Sequence, residues 1–266
     1  MDTKKQRIVV KVGTSTLTHD SGSLDLRSME HLVRTLSDLH GMGHEVILVS
    51  SGAIAVGTAK LALPERPKEL RMKQAAAAVG QCRMMHIYDK LFSEYNRSMA
   101  QILLTGDDVE DPVRAEHLRS TFSALLEMGV IPVVNENDSV SSAEIESGHH
   151  KVFGDNDTLS AIVAELCGAD LLVLLSDIDG LYTADPRKNA DATLISEVHE
   201  LTPEILALAG KAGSSRGTGG METKLRAAGI ATASGCDMII ANGASPELLY
   251  DIFDGKAVGT RFYASK

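Results

Sequence analysis

Cysteine is scarce in this 266-residue chain: Cys82, Cys167 and Cys236 are an odd number and form no C-x-x-C pair. That excludes a disulfide framework and a cysteine-based zinc site, and leaves reduced thiols packed as small hydrophobes. Basic charge is also in deficit, with 26 Lys plus Arg against 36 Asp plus Glu and a net charge of −10. An acidic chain repels phosphate backbones, so no nucleic-acid partner is expected, although a local basic group can still meet a small anion. No apolar run approaches the ~20 residues of a membrane-spanning helix. The polar start, Met1 to Arg7, has no secretory pattern, so a cytoplasmic protein without membrane contact is expected. Walker A, the dinucleotide G-x-G-x-x-G and the protein-kinase H-R-D and D-F-G signatures are all missing, as are internal repeats and low-complexity tails.

What is present is ordinary globular composition, 44% hydrophobic and 23% charged. Short β-rich runs alternate with helical periods. Ile8–Val12, Val46–Val49, Ile102–Leu104, Val130–Val134, Leu171–Leu175 and Met238–Ala241 read as strands. Leu24–Leu39, the alanine-rich stretch from Pro67 to about Tyr95, Pro112–Met128 behind an Asp111 cap, Asp155–Leu166 and Thr218–Ser234 read as helices. Strands separated by helices predict an α/β fold with a mostly parallel sheet covered on both faces. Ligands in such sheets sit beyond the C-terminal strand ends, and most polar clusters of this chain fall there.

Lys11-Val12-Gly13-Thr14-Ser15 can meet an anion through a lysine and free N–H groups, or be a solvated lysine before a turn. Ser50-Ser51-Gly52 before a helix is an anion site by geometry or a simple N-cap. Asn135-Glu136-Asn137-Asp138 suits a polar zwitterion, carboxylate to ammonium and amide to carboxylate, or is a turn. Asp155-Asn156-Asp157 exceeds what capping requires, so a carboxylate there can orient lysines or hold magnesium indirectly. Ser176-Asp177 and the turn through Gly180 suit a base and ribose, or form an ordinary βα turn. Gly217-Thr218-Gly219-Gly220-Met221-Glu222-Thr223-Lys224 combines backbone donors with a lysine, a phosphate-binding kit, or is a surface loop. His149-His150 lacks companion ligands at metal spacing, so it reads as loop surface and no protein metal site is expected.

Taken together, and with Gly180-Leu181-Tyr182-Thr183-Ala184-Asp185-Pro186, these stretches resemble the amino-acid kinase family, and within it the branch that acts on free glutamate. They occur in family order along nearly the whole chain. The resemblance implies a three-layer αβα sandwich around a mostly parallel open sheet. It implies a single domain over 1–266, roughly residues 1–170 binding glutamate and 171–266 binding ATP, in a short form without a PUA domain. The implied activity is ATP- and Mg²⁺-dependent phosphorylation of the γ-carboxylate of L-glutamate, the first step of proline biosynthesis. Proline as an inhibitor and a homodimer or homotetramer are implied too. By the same resemblance Lys11 stabilises the transferring phosphoryl group, Lys224 the leaving β–γ region, and Asp157 holds both. Ser51, Gly52, Asp138 and Asn156 bind glutamate, supported by Asn135 and Asp155. Lys11, Gly13, Ser176, Asp177 and Thr218 to Lys224 bind ATP. The stretch Ile145–Phe153 is longer than the commonest family loop. Sister kinases acting on acetylglutamate, aspartate, carbamate or UMP share the phosphate kit, and an amino-acid sensor would keep Asp138 and Asn156 without needing the lysine pair.

Overall fold

The computed structural model describes residues 5–140, 155–209 and 220–265. Along the chain lie β1 (Arg7–Val12), α1 (Thr14–Leu17), α2 (Leu26–Gly41), β2 (Glu45–Val49), α3 (Ala53–Lys60), α4 (Leu70–Glu94) and β3 (Met99–Leu104). Then come α5 (Gly106–Glu110), α6 (Pro112–Glu127), β4 (Ile131–Glu136), α7 (Asn156–Cys167), β5 (Leu171–Ser176), β6 (Leu181–Tyr182) and β7 (Leu194–Ile195). β8 (Glu197–Val198), α8 (Pro203–Ala209), α9 (Met221–Ala233), β9 (Asp237–Asn242), α10 (Leu248–Phe253) and β10 (Thr260–Phe262) complete the described part. An eight-stranded sheet runs β3-β4-β2-β1-β5-β9-β10-β8. Its first six strands are parallel, and β10 joins β9 antiparallel.

The central strands are apolar on both faces because each face carries its own core. Ile8, Val10 and Val12 of β1 point to the side of α2, α4 and α10, whereas Val9 points to the side of α6, α7 and α9. This period-2 division repeats in β2, β5 and β9. The expected three-layer arrangement is therefore present. Among the described residues no helix is long and apolar enough to cross a membrane.

β1 is the switch point of the sheet: β2 pairs on one side of it and β5 on the other. A crevice opens at the C-terminal ends of strands where the winding reverses. One further packing device shapes this edge. A Cβ added at Gly80 of α4 would lie 1.8 Å from Ala53 O, and one at Gly57 of α3 would lie 1.7 Å from Ala76 O. The two helices thus touch backbone to backbone, which only glycine permits. That contact sets the N-terminus of α3, where Gly52 takes φ +102°, against the middle of α4.

Three differences from expectation stand out. β4 keeps Asn135 and Glu136 inside the strand, because Leu103 and Leu104 of a longer β3 pair with them. The C-terminal strands β8 and β10 and helix α10 carry no long apolar period and were not legible as elements. Cys82 is exposed on α4, not packed as a small hydrophobe; Cys167 and Cys236 are buried, and burial pushes both thiols up to about 12.

Candidate active site

Strand parity decides which side chains meet at the crevice. Lys11 shares the orientation of Val9, so it rises from the end of β1 toward α7 and α9. Asp157 stands there in the first turn of α7. Its Oδ1 lies 2.6 Å from Lys11 Nζ, and its Oδ2 lies 3.2 Å from Lys224 Nζ in α9. Thr223 Oγ1 is 2.9 Å from the same Oδ2 and 2.8 Å from Gly220 O, so one hydroxyl proton faces two acceptors. Asp157 is 1% exposed, Lys224 5% and Lys11 8%. Burial alone would raise the Asp157 carboxyl, but the two ammonium charges, with hydrogen bonds from Lys11 and the Thr223 hydroxyl, outweigh it and hold the group at about 2. One carboxylate thus braces two buried cations, and the cluster carries one net positive charge at the edge of the cleft.

On the other side of the sheet edge the groups facing α4 are amides and hydroxyls. Ser50 and Asn135 share the orientation of Leu48 and Val133, toward α4. Asn156, the first residue of α7, reaches across to them. Its Nδ2 donates to Ser50 O at 2.8 Å, to Ser51 Oγ at 2.8 Å and to Asn135 Oδ1 at 3.1 Å. Asn135 Nδ2 donates in turn to Gln81 Oε1 at 2.9 Å, and Ser50 Oγ meets Tyr88 Oη at 2.9 Å. Asp138 follows the end of β4, half-buried. Burial, then repulsion from Glu136, lifts its carboxyl to about 6, against a smaller opposing pull from Arg66.

An open cleft adjoins Lys224 and is lined by Asp177, Gly180, Tyr182, Pro186, Leu208 and Met221 among others. Ser176 closes β5 beside it and donates to Asp177 Oδ1 at 3.2 Å, while Arg187 reaches Asp177 Oδ2 at 3.5 Å. Gly13 sits beside Lys11, its absent Cβ position 3.8 Å from Nζ.

The structure therefore brings Lys11, Gly13, Asp157, Thr223 and Lys224 together, and separately Ser51, Asn135 and Asn156, with Gly52 opening α3. Asp177, Gly220 and Met221 border the cleft, and Ser176 stands next to Asp177 at the end of β5 without lining it. Asp155 does something plainer: its carboxylate accepts from Thr158 N at 2.9 Å and Thr158 Oγ1 at 3.1 Å, as the cap of α7. Glu222 points outward to Arg226 at 3.5 Å. Thr218, Gly219, His149-His150 and Ile145–Phe153 lie outside the described residues. Gln81 and Tyr88 went unread in the sequence. The available signal was a glutamine beside Gly80 in an otherwise alanine-rich helix, and nothing local shows that it faces another polar group. Among the described residues no group of three His, Cys, Asp or Glu side chains is placed to hold a metal.

A model of the amino acid kinase family matches residues 6–242. The chain belongs to the amino acid kinase family. Among this family's curated members, the Glutamate 5-kinase of Clostridium perfringens is 56% identical over 98% of this chain and 96% of its own length. That of Listeria innocua is 51% identical over 98% and 94%. That of Carboxydothermus hydrogenoformans is 56% identical over 98% of this chain but 68% of its own. Carbamate kinase from Giardia lamblia bound to AMP-PNP superposes with a TM-score of 0.69 at 18% identity, over all of both chains. Isopentenyl phosphate kinase from T. acidophilum gives 0.64 at 19%, over 96% and 99%. At those identities the two structures speak for the amino acid kinase fold alone.

Proposed function

We propose that the chain transfers the γ-phosphoryl group of ATP to the γ-carboxylate of L-glutamate, giving L-glutamyl 5-phosphate, the first step of proline biosynthesis. The observation that carries it is the Lys11–Asp157–Lys224 cluster, poised between the polar amide–hydroxyl site and the cleft beside Lys224. Relatives named Glutamate 5-kinase at 51–56% identity supply the choice of acceptor.

The acceptor carboxylate is already ionised at neutral pH, so the reaction needs no general base. What it needs is two anions brought together and charge stabilised on the phosphoryl group in flight, which is positioning and electrostatics. In this reading Lys11 meets the transferring group and Lys224 the β–γ region of the nucleotide, with Asp157 fixing both; the contacts of Asp157 with both ammonium groups support it. Ser51, Gly52, Asp138 and Asn156 take glutamate, with Asn135 behind them. Ser176, Asp177 and the start of α9 take ATP. Magnesium would neutralise phosphate charge; with no acidic cluster to cage it among the described residues, it suits a cation carried in on the nucleotide. A single domain with acceptor and nucleotide halves, a cytoplasmic setting, a homo-oligomer and proline inhibition belong to the same proposal.

The test is acyl-phosphate formation trapped with hydroxylamine, with ATP and magnesium, across L-glutamate, N-acetyl-L-glutamate and L-aspartate. Hydroxamate from L-glutamate alone is expected. Product only from another acid moves the acceptor assignment, and none from any acid refutes the kinase proposal.

Asp138 makes the reaction sensitive to pH. Its folded value of about 6 exceeds the ordinary 3.8, so ionisation costs the fold stability: the loss develops as pH rises from about 4 and is complete above about 6. The same negative charge is what an ammonium ligand requires. The expected kcat/KM for glutamate therefore falls up to tenfold per pH unit below about 6, and Asp138→Asn flattens that limb at a lower plateau. Bound glutamate stabilises the charge, so the kcat limb lies further to acid. Identical limbs in wild type and Asp138→Asn would remove Asp138 from ammonium binding.

A further inference from the structure

We propose that Gln81, on helix α4, is a positioning residue that holds Asn135 as an acceptor toward Asn156, reinforcing the orientation of the Asn156 carboxamide that the Ser50 carbonyl sets, and so helps select for a free α-ammonium group. The proposal rests on glutamate being the acceptor.

The chain of hydrogen bonds has only one consistent polarity. Ser50 O is a backbone carbonyl and can only accept, so the Asn156 atom 2.8 Å away must be the nitrogen. Asn135 must then present oxygen to that nitrogen and turn its own Nδ2 outward. Gln81 must meet this Nδ2 with Oε1. Polarity fixed at one backbone carbonyl thus propagates through two asparagines and ends on α4. Gln81 is 8% exposed and Asn135 2%, so water has little access to substitute for either partner. The relay ends there: Gln81 Nε2 is buried and has no hydrogen-bond partner among the described residues. Of the two ends of the glutamine amide, the oxygen is the one the relay uses.

The consequence lies at the other end. With Nδ2 committed to three acceptors, Asn156 has only Oδ1 to offer a ligand, and Oδ1 can only accept. Fully ionised glutamate carries two carboxylates and one ammonium, and the ammonium is its only donor. An Asn156 carboxamide turned the other way would present a donor and attract carboxylate instead. Gln81 never touches the substrate in this arrangement; it acts through Asn135. Its reach depends on the close approach of Gly80 to Ala53, which brings that turn of α4 under the ends of β2 and β4.

The experiment compares wild type, Gln81→Met and Gln81→Glu for KM of glutamate, KM of ATP, kcat, and Ki of glutarate, which is glutamate without its amino group. Methionine fills the space and removes the acceptor; glutamate at this position keeps an accepting oxygen. For Gln81→Met the expected glutamate KM rises about tenfold or more, the scale of one hydrogen bond to a charged group. ATP KM, kcat and glutarate Ki should stay within about threefold. Gln81→Glu should recover most of the glutamate affinity. Equal weakening of glutamate and glutarate, or no recovery in Gln81→Glu, would show a merely structural role and overturn the proposal, as would an unchanged glutamate KM. If Gln81→Met fails to fold, Gln81→Ala is judged by the same KM-to-Ki ratio. Wild-type turnover of glutamate in the same assay separates failure of this proposal from failure of the glutamate assignment.

Discussion

Lys11→Ala and Lys224→Ala will each lower kcat by about 10²–10³-fold, the usual cost of removing one preorganised transition-state donor, while the protein still melts within a few degrees of wild type. The asymmetry follows from the charge count. Two buried ammonium groups share one carboxylate, at 2.6 and 3.2 Å. Removing either lysine leaves a neutral ion pair with Asp157 still partnered, so the fold loses little. The surplus positive charge that would meet phosphate is lost with it. Asp157→Ala should do both kinds of harm. It strands two buried cations against each other, and breaking a buried ion pair costs about 3–5 kcal/mol. The acid side separates the two effects further. The Asp157 carboxyl is held at about 2 against an ordinary 3.8, so its stabilising contribution is complete above about pH 4. That contribution is lost as pH falls toward 2. Melting temperature against pH should therefore drop less steeply between pH 4 and 2 in Asp157→Ala than in wild type. Folded Lys11→Ala and Lys224→Ala proteins with near-wild-type kcat would remove both lysines from the chemistry.

Most of the sheet could be read from the sequence, because strands such as Leu171–Ser176 bury both faces and show as unbroken apolar runs. The sheet's far edge could not. β8 and β10 are two and three residues long, and their place is set by pairing with β9 and with each other, which leaves no local period. The same distinction divides the site. Lys11, Asp157 and Lys224 stand at strand ends and helix starts, where a charged residue beside glycine or a cap is conspicuous. Gln81 and Tyr88 sit in the middle of a long helix, where a polar residue every second turn looks like an exposed face. What makes them part of the site is the approach of α4 to α3, a tertiary fact written in sequence only as Gly57 and Gly80. Asp155 was read both as a cap and as support for the substrate. Its bonds to Thr158 account for it as the cap.

Gly80→Ala will be among the most damaging single-methyl additions to this chain, and it will damage glutamate binding more than ATP binding. The added carbon would stand 1.8 Å from Ala53 O and 2.6 Å from Gly57 N, and both are backbone atoms that no rotamer change can move aside. Overpacking in a filled core costs about 1–3 kcal/mol and sometimes more. Relief here requires the helices themselves to separate, so ~3 kcal/mol or more is expected. At ~2–4 °C per kcal/mol for a protein of this size, the melting temperature falls by roughly 6–12 °C. Gly168→Ala is the contrasting case. Unlike helical Gly80, that glycine has positive φ, +60°, and an added Cβ meets nothing within 4 Å. It pays only for the left-handed backbone, ~1–2 kcal/mol. The functional half of the prediction follows from direction. Pushing α3 off α4 displaces Ala53 and with it Ser51 and Gly52, and it pulls Gln81 and Tyr88 away from Asn135 and Ser50. Lys224 and the cleft it adjoins lie across the sheet edge on α9, α8 and the segment that follows β5, outside the disturbed contact. Glutamate KM should therefore rise while ATP KM stays close to wild type, measured well below the lowered melting temperature. Equal loss of both affinities would mean that the helix crossing supports the whole crevice rather than its acceptor half.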